Sequence, residues 1–159
     1  MKLATKIELI DGESVEVGDY LIRCRVGVDQ DSSVDDSPDC YGTIADSRRD
    51  RNTGRERRPE GFTGNAEKLW CGNYGPWWWE PPKDVKRSDP GFKEFRDTVR
   101  ELLAFGFVGV VVELCLDCDH YGHPIVIDSE SLWAIDSRDD TYIRETSSEL
   151  IEEMMARHE

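Results

Sequence analysis

Phe107-Val108-Gly109-Val110-Val111-Val112-Glu113-Leu114-Cys115-Leu116 is the run that governs the architecture. A strand sends alternate side chains to opposite faces, and here odd and even positions are both largely apolar, with four β-branched valines at 108 and 110–112. Such a run belongs in the middle of a sheet with both faces covered. On its N-terminal side, Asp89-Pro90 predicts a helix start, with Asp89 as N-cap and Pro90 at the first helical position, where a missing N–H costs nothing. Phe92, Phe95, Val99, Leu102 and Leu103 then step by three or four as one apolar stripe, and Gly106 can end the helix near Phe105. On its C-terminal side, Pro124 to Asp128 and Ser131 to Asp136 read as two short strands.

A final helix follows, capped by Asp139 or Asp140. Ile143, Leu150, Ile151, Met154 and Met155 form its apolar face, and Glu145, Glu149, Glu152 and Glu153 an acidic outer face. At the start of the chain, Lys6 to Ile10, Glu13 to Val17 and Tyr20 to Val28 read as strands joined by turns at Asp11-Gly12 and Gly18-Asp19. Periodicity fails from Asp29 to Gly75, where an acidic Ser-rich loop gives way to a polar loop broken by Gly54, Pro59, Gly61 and Gly64. The fold class expected is therefore α+β: a mostly antiparallel sheet of about five to six strands, two helices on one side, and a long irregular central segment. A length of 159 residues suits one domain spanning 1–159, with the irregular insertion at about 29–82.

Charge is segregated along the chain. Residues 1–47 carry a net charge of -7, residues 48–100 of +4 and residues 101–159 of -11, within a total of -14. A field of that sign repels nucleic acid over most of the surface and attracts basic partners. The positive exception is Arg48, Arg49, Arg51, Arg55, Arg57 and Arg58, followed by Trp70 and by Trp77-Trp78-Trp79-Glu80-Pro81-Pro82. Consecutive tryptophans in an extended segment point to alternate sides, so one at least is expected off the core. Tryptophan and arginine dominate interface hot spots, which makes Arg48–Arg58 with Trp77, Trp78 and Trp79 the candidate binding surface. Three roles fit the arginines: a solvated loop paired with its own carboxylates, contact with phosphates while nearby rings stack on bases, or docking on an acidic protein surface, including a second copy in a homodimer.

Cys115, Cys118, His120 and His123 have the atoms to bind zinc, but they crowd into nine residues, whereas structural sites take ligand pairs from separated segments. The expectation is a loop with incidental Cys and His and no cofactor. No glycine-rich phosphate loop or nucleophile elbow is present, and the carboxylates are scattered, so the chain does not read as an enzyme; a zinc-dependent enzyme would need the metal first. No apolar run approaches the roughly 20 residues that span a bilayer, and the first residues lack the apolar stretch of a secretory signal. Together with five cysteines, an odd number, this points to a reducing, cytoplasmic setting without membrane contact.

The C-terminal third resembles a group of small acidic proteins from phages and mobile elements of actinobacteria. The residues that carry the likeness are Phe107-Val108-Gly109-Val110-Val111-Val112, Ser131-Leu132-Trp133-Ala134-Ile135, and the acidic helix from Tyr142 to Ala156, about 50 residues in all. The resemblance is one of pattern and implies origin and architecture, including residence in a host cytoplasm. With the acidity, it leads to the expectation of a non-enzymatic accessory protein that binds a host protein, as an acidic nucleic-acid mimic or as an anti-defence or host-takeover factor. The alternative is a small nucleotide or single-stranded nucleic-acid binder that uses the Arg48–Arg58 loop and the tryptophans.

Overall fold

The computed structural model describes residues 3, 5–46, 58–116 and 122–158. Its order is β1 (Ser14–Val17), β2 (Tyr20–Asp29), a 3-10 turn (Val34–Asp36), α1 (Pro38–Tyr41), β3 (Thr43–Asp46), β4 (Glu67–Cys71), β5 (Tyr74–Glu80), α2 (Phe92–Phe105), β6 (Phe107–Leu116), β7 (Ile125–Ile135) and α3 (Asp140–Ala156). The fold is α+β with antiparallel strands, as the periodicities indicate, but the strands divide into two sheets ordered β1-β2-β6-β7 and β3-β5-β4. The chain forms two compact units, Met1–Asp29 with Phe107–Glu159, and Gln30–Gly106.

The first unit is built around β6, which lies between β2 and β7. Ile22 and Cys24 of β2 and Val108, Val110, Val112 and Leu114 of β6 pack with Ile143, Leu150, Ile151, Met154 and Met155 of α3. Residues paired across antiparallel strands share a face, so the register Cys24↔Val112↔Glu130 and Val26↔Val110↔Leu132 defines the α3 side of the sheet. The segment before β1 is not a strand in this sheet. It is held instead by Ser147 of α3, whose buried hydroxyl accepts from Leu9 N at 2.9 Å and donates to Leu9 O at 2.7 Å. Asp139 caps α3, accepting from the N–H groups of Thr141 and Tyr142. The two strands expected after residue 123 are one, β7, with register shifts opposite Val108/Val110 and Leu114/Cys115.

The second unit shows that the segment expected to be irregular contains folded elements. Glu67–Cys71 and Tyr74–Glu80 form a hairpin in which Cys71 faces Tyr74 across Gly72-Asn73, with Gly72 at φ 55°. Gly-Asn between two apolar-bearing runs is a hairpin signal. Helix α2 belongs to this unit, where Phe92 and Val99 pack with Leu69 and Trp79. Its N-cap is Gly91; the Asp89 carboxylate instead accepts from Lys86 N at 2.8 Å, closing a tight turn before the helix. Pro81 and Pro82 follow β5 at Glu80, as expected where N–H donors for the ladder run out.

Candidate functional site

Antiparallel register splits the three tryptophans between two faces of the β3-β5-β4 sheet. Trp77 faces Leu69, Trp78 faces Lys68 and Ala45, and Trp79 faces Glu67 and Ile44. Trp79 is fully buried, in ring contact with Phe92 and Phe95, and its indole N–H donates to Tyr41 O at 2.7 Å. It is a core residue and is removed from the candidate binding set, because this small unit has few other large side chains with which to fill its interior. Trp77 and Trp78 are half-buried. The Lys68 ammonium lies 5.5 Å and the Arg58 guanidinium 6.0 Å from the Trp78 ring centroid, so cations already occupy the neighbourhood of this ring. Trp70 is the exposed indole of the unit, at 51 %. Arg48, Arg49, Arg51, Arg55 and Arg57 lie outside the described residues.

A cavity of about 1000 Å³ opens in the same unit, between Thr43, Thr63, Asn65, Glu80 and the turn Lys83–Ser88. Its charges are mixed and partly engaged. The Glu80 carboxylate accepts from both the N–H and the hydroxyl of Thr63, which hold its pKa below the ordinary value. Arg87 donates to Asn65 O at 2.7 Å and pairs with Glu67 at 2.8 Å. Lys83 and Lys86 are balanced by Asp39 and Asp84 in the lining, so the cavity favours no one ligand charge.

Of the proposed metal ligands, Cys118 and His120 lie outside the described residues. Cys115 is fully buried in β6, and burial raises its thiol pKa, which keeps it protonated and apolar in character. His123 is exposed in the turn before β7. Among the described residues no three His, Cys, Asp or Glu side chains gather as a metal site.

A different surface emerges on the first unit. The unit holds 7 basic and 19 acidic side chains, a net charge of -12, against -2 for the second unit. Along its β7 edge Ile125, Val126, Ile127, Leu132 and Trp133 are all more than 40 % exposed. Trp133 lies over Gly109 of the central strand, where any Cβ would run into the indole ring, and its N–H donates to Ser131 Oγ at 3.2 Å. A lone glycine among the valines of this strand is the sequence signal of a close approach at that position, and the register with β7 decides that the ring lying there is Trp133. The bend that brings the ring there includes Ala134 at φ 58°, whose N–H donates to the buried Asp29 carboxylate at 2.9 Å.

The acidic row of β7 is organised as well. Asp128 and Glu130 both bind Arg157, at 3.1 and 2.7 Å, and Asp128 also meets His158 at 2.7 Å. Hydrogen bonds from Arg157 and His158 lower the Asp128 pKa to about 2. On the opposite face Glu113 is clamped by Arg23 at 2.5 Å and Arg25 at 2.9 Å. Burial raises its pKa, but the two guanidinium contacts outweigh that effect and the net shift is downward.

No protein-family model matches the chain, and neither a curated protein nor a solved structure matches it. None of the described helices is long and apolar enough to cross a membrane.

Proposed function

We propose that this is a binding protein whose acidic unit engages a basic protein partner, such as a host protein whose ordinary ligand is nucleic acid. The observation that carries the reading is the β7 surface: an exposed indole anchored on Gly109, with exposed aliphatic neighbours, in a unit of net charge -12. Exposed aromatic anchors supply binding energy, and a surrounding field of one sign steers partners of the other. The exposed Glu145, Glu149, Glu152 and Glu153 of α3 extend that field. The phage-like pattern of the C-terminal third makes a host partner the natural choice.

The test is affinity capture at low salt with competition by duplex DNA. Captured partners should be basic, elute as salt rises, be displaced by DNA, and fall in yield with Trp133→Ala. Capture indifferent to salt and to Trp133→Ala would overturn the proposal.

A second reading rests on the other unit, where Lys68 and Arg58 border Trp78 on a sheet that also exposes Trp70. That face suits phosphate contact with base stacking. Titration with a single-stranded oligonucleotide at low salt decides it: quenching of tryptophan fluorescence that Trp70→Ala and Lys68→Ala abolish supports nucleic-acid binding, and an unchanged spectrum removes it.

A further inference from the structure

We propose that the cavity of the second unit binds a short dipolar peptide, whose free ammonium and carboxylate ends meet the unpaired aspartates and lysines of the lining. The lining comes wholly from the second unit, so the site does not depend on the partner of the acidic one.

The walls are fixed before any ligand arrives. Gly42, at φ 94°, packs so closely on Glu80 O and the Trp79 ring nitrogen that no Cβ would fit, which holds the approach to β3 against the end of β5. The turn Lys83–Ser88 is braced at both ends, Val85 N donating to Pro82 O at 3.0 Å and Lys86 N to the Asp89 carboxylate at 2.8 Å. Arg87 ties the same turn to Asn65 O. Walls ordered in advance lower the cost of binding, because little conformational freedom remains to be lost.

Charge sets the chemistry of the ligand. Asp39, Glu80 and Asp84 line the cavity against Lys83, Lys86 and Arg87, three of each sign. Glu80 is engaged by Thr63, and Arg87 by Glu67. Among the described residues the side chains of Asp39, Asp84, Lys83 and Lys86 form no ion pair and no hydrogen bond. A ligand with one sign of charge is attracted by two of these groups and repelled by the other two, whereas a dipolar ligand is attracted by all four.

The uncharged lining selects a peptide among dipolar molecules. Thr43, Asn65 and Ser88 bring two hydroxyls and an amide, whose side chains likewise make no hydrogen bond among the described residues. Each such group donates and accepts, as a peptide unit does. Pro38, Pro81, Pro82 and Val85 supply apolar surface for side chains. A volume of about 1000 Å³ stands at the upper end for ligand clefts and is far more than a single amino acid fills.

The experiment uses the full chain and four forms of tetraalanine: free at both ends, N-acetylated, C-amidated, and blocked at both ends. Backbone amide shifts locate binding, and their titration gives affinity. The free peptide should shift the amides of residues 83–88 at about 1 mM, and blocking either end should weaken it about tenfold. Lys83→Ala with Lys86→Ala should weaken the free peptide to the same degree and abolish the effect of amidation. Asp39→Ala with Asp84→Ala should do so for acetylation. All four residues are exposed, so the circular dichroism spectrum should stay unchanged. The proposal is wrong if the doubly blocked peptide binds as tightly as the free one, or if the free peptide leaves residues 83–88 unmoved at about 10 mM. It also falls if blocking the ends weakens binding equally in the wild type and in both double variants, since the charges that read the ends would then lie elsewhere.

Discussion

At the residue scale, the close approach of Trp133 to Gly109 couples a core strand to an exposed ring. Gly109→Ala forces the indole to move, and overpacking of this kind costs about 1–3 kcal/mol. The ring is half-exposed and its removal alone is mild, so Trp133→Ala in the Gly109→Ala background should recover most of the loss. Urea denaturation of the four proteins in the cycle measures the coupling; additive effects would show that ring and glycine are independent. Trp79 presents the opposite situation. With its ring fully buried and its N–H bound to Tyr41 O, Trp79→Ala should destabilise the second unit by about 3–5 kcal/mol, read as an earlier denaturation midpoint. Three adjacent tryptophans were visible in the sequence together with their alternation, but which of them enters the core depends on the register with Leu69 and Ile44.

At the element scale, the end of α3 is tied to β7 by Arg157 and His158. Asp128 titrates at about 2 in the folded chain against an ordinary 3.8, so the unfolded state binds more protons in this interval. The contact thus contributes stability above about pH 4 and loses it as pH falls towards 2. Arg157→Ala should accordingly lower the melting temperature near neutral pH by an amount that shrinks between pH 4 and pH 2. A constant difference across that range would rule out the linkage.

Helices α2 and α3 and strand β6 were legible because each carries a complete apolar period within itself. Strands β3 and β4 were not: Thr43–Asp46 is too short to show a period, and Glu67–Cys71 buries only Leu69 fully. The continuity of β7 was hidden for a related reason, since its bulges shift the alternation partway along.

At the scale of the whole molecule, the second unit is an insertion in a hairpin of the first. Asp29 and Phe107 are paired residues at the ends of β2 and β6, so the chain leaves the first sheet and returns to it at one place. The cores of the two units, one around β6 and α3 and the other around Trp79 and α2, share no residue. Replacing Gln30–Gly106 by a two-residue hairpin turn should therefore leave the first unit able to fold, with a cooperative thermal transition and native-like strand signal in circular dichroism. Loss of that transition would show that the first core is incomplete without the inserted unit.

By itself the sequence determined the α+β class, the central strand, both long helices, an aspartate cap at 139 or 140 and the segregation of charge, because each depends on neighbours within a few turns of the chain. Only the tertiary structure decided that the strands form two sheets, that α2 serves the inserted unit, that Trp79 is core, and that Trp133 and the β7 edge form an exposed surface in the acidic unit. Those outcomes depend on which distant strands pair and in what register. A one-residue change of register exchanges the two faces of a strand, and no local pattern in this chain specifies that choice.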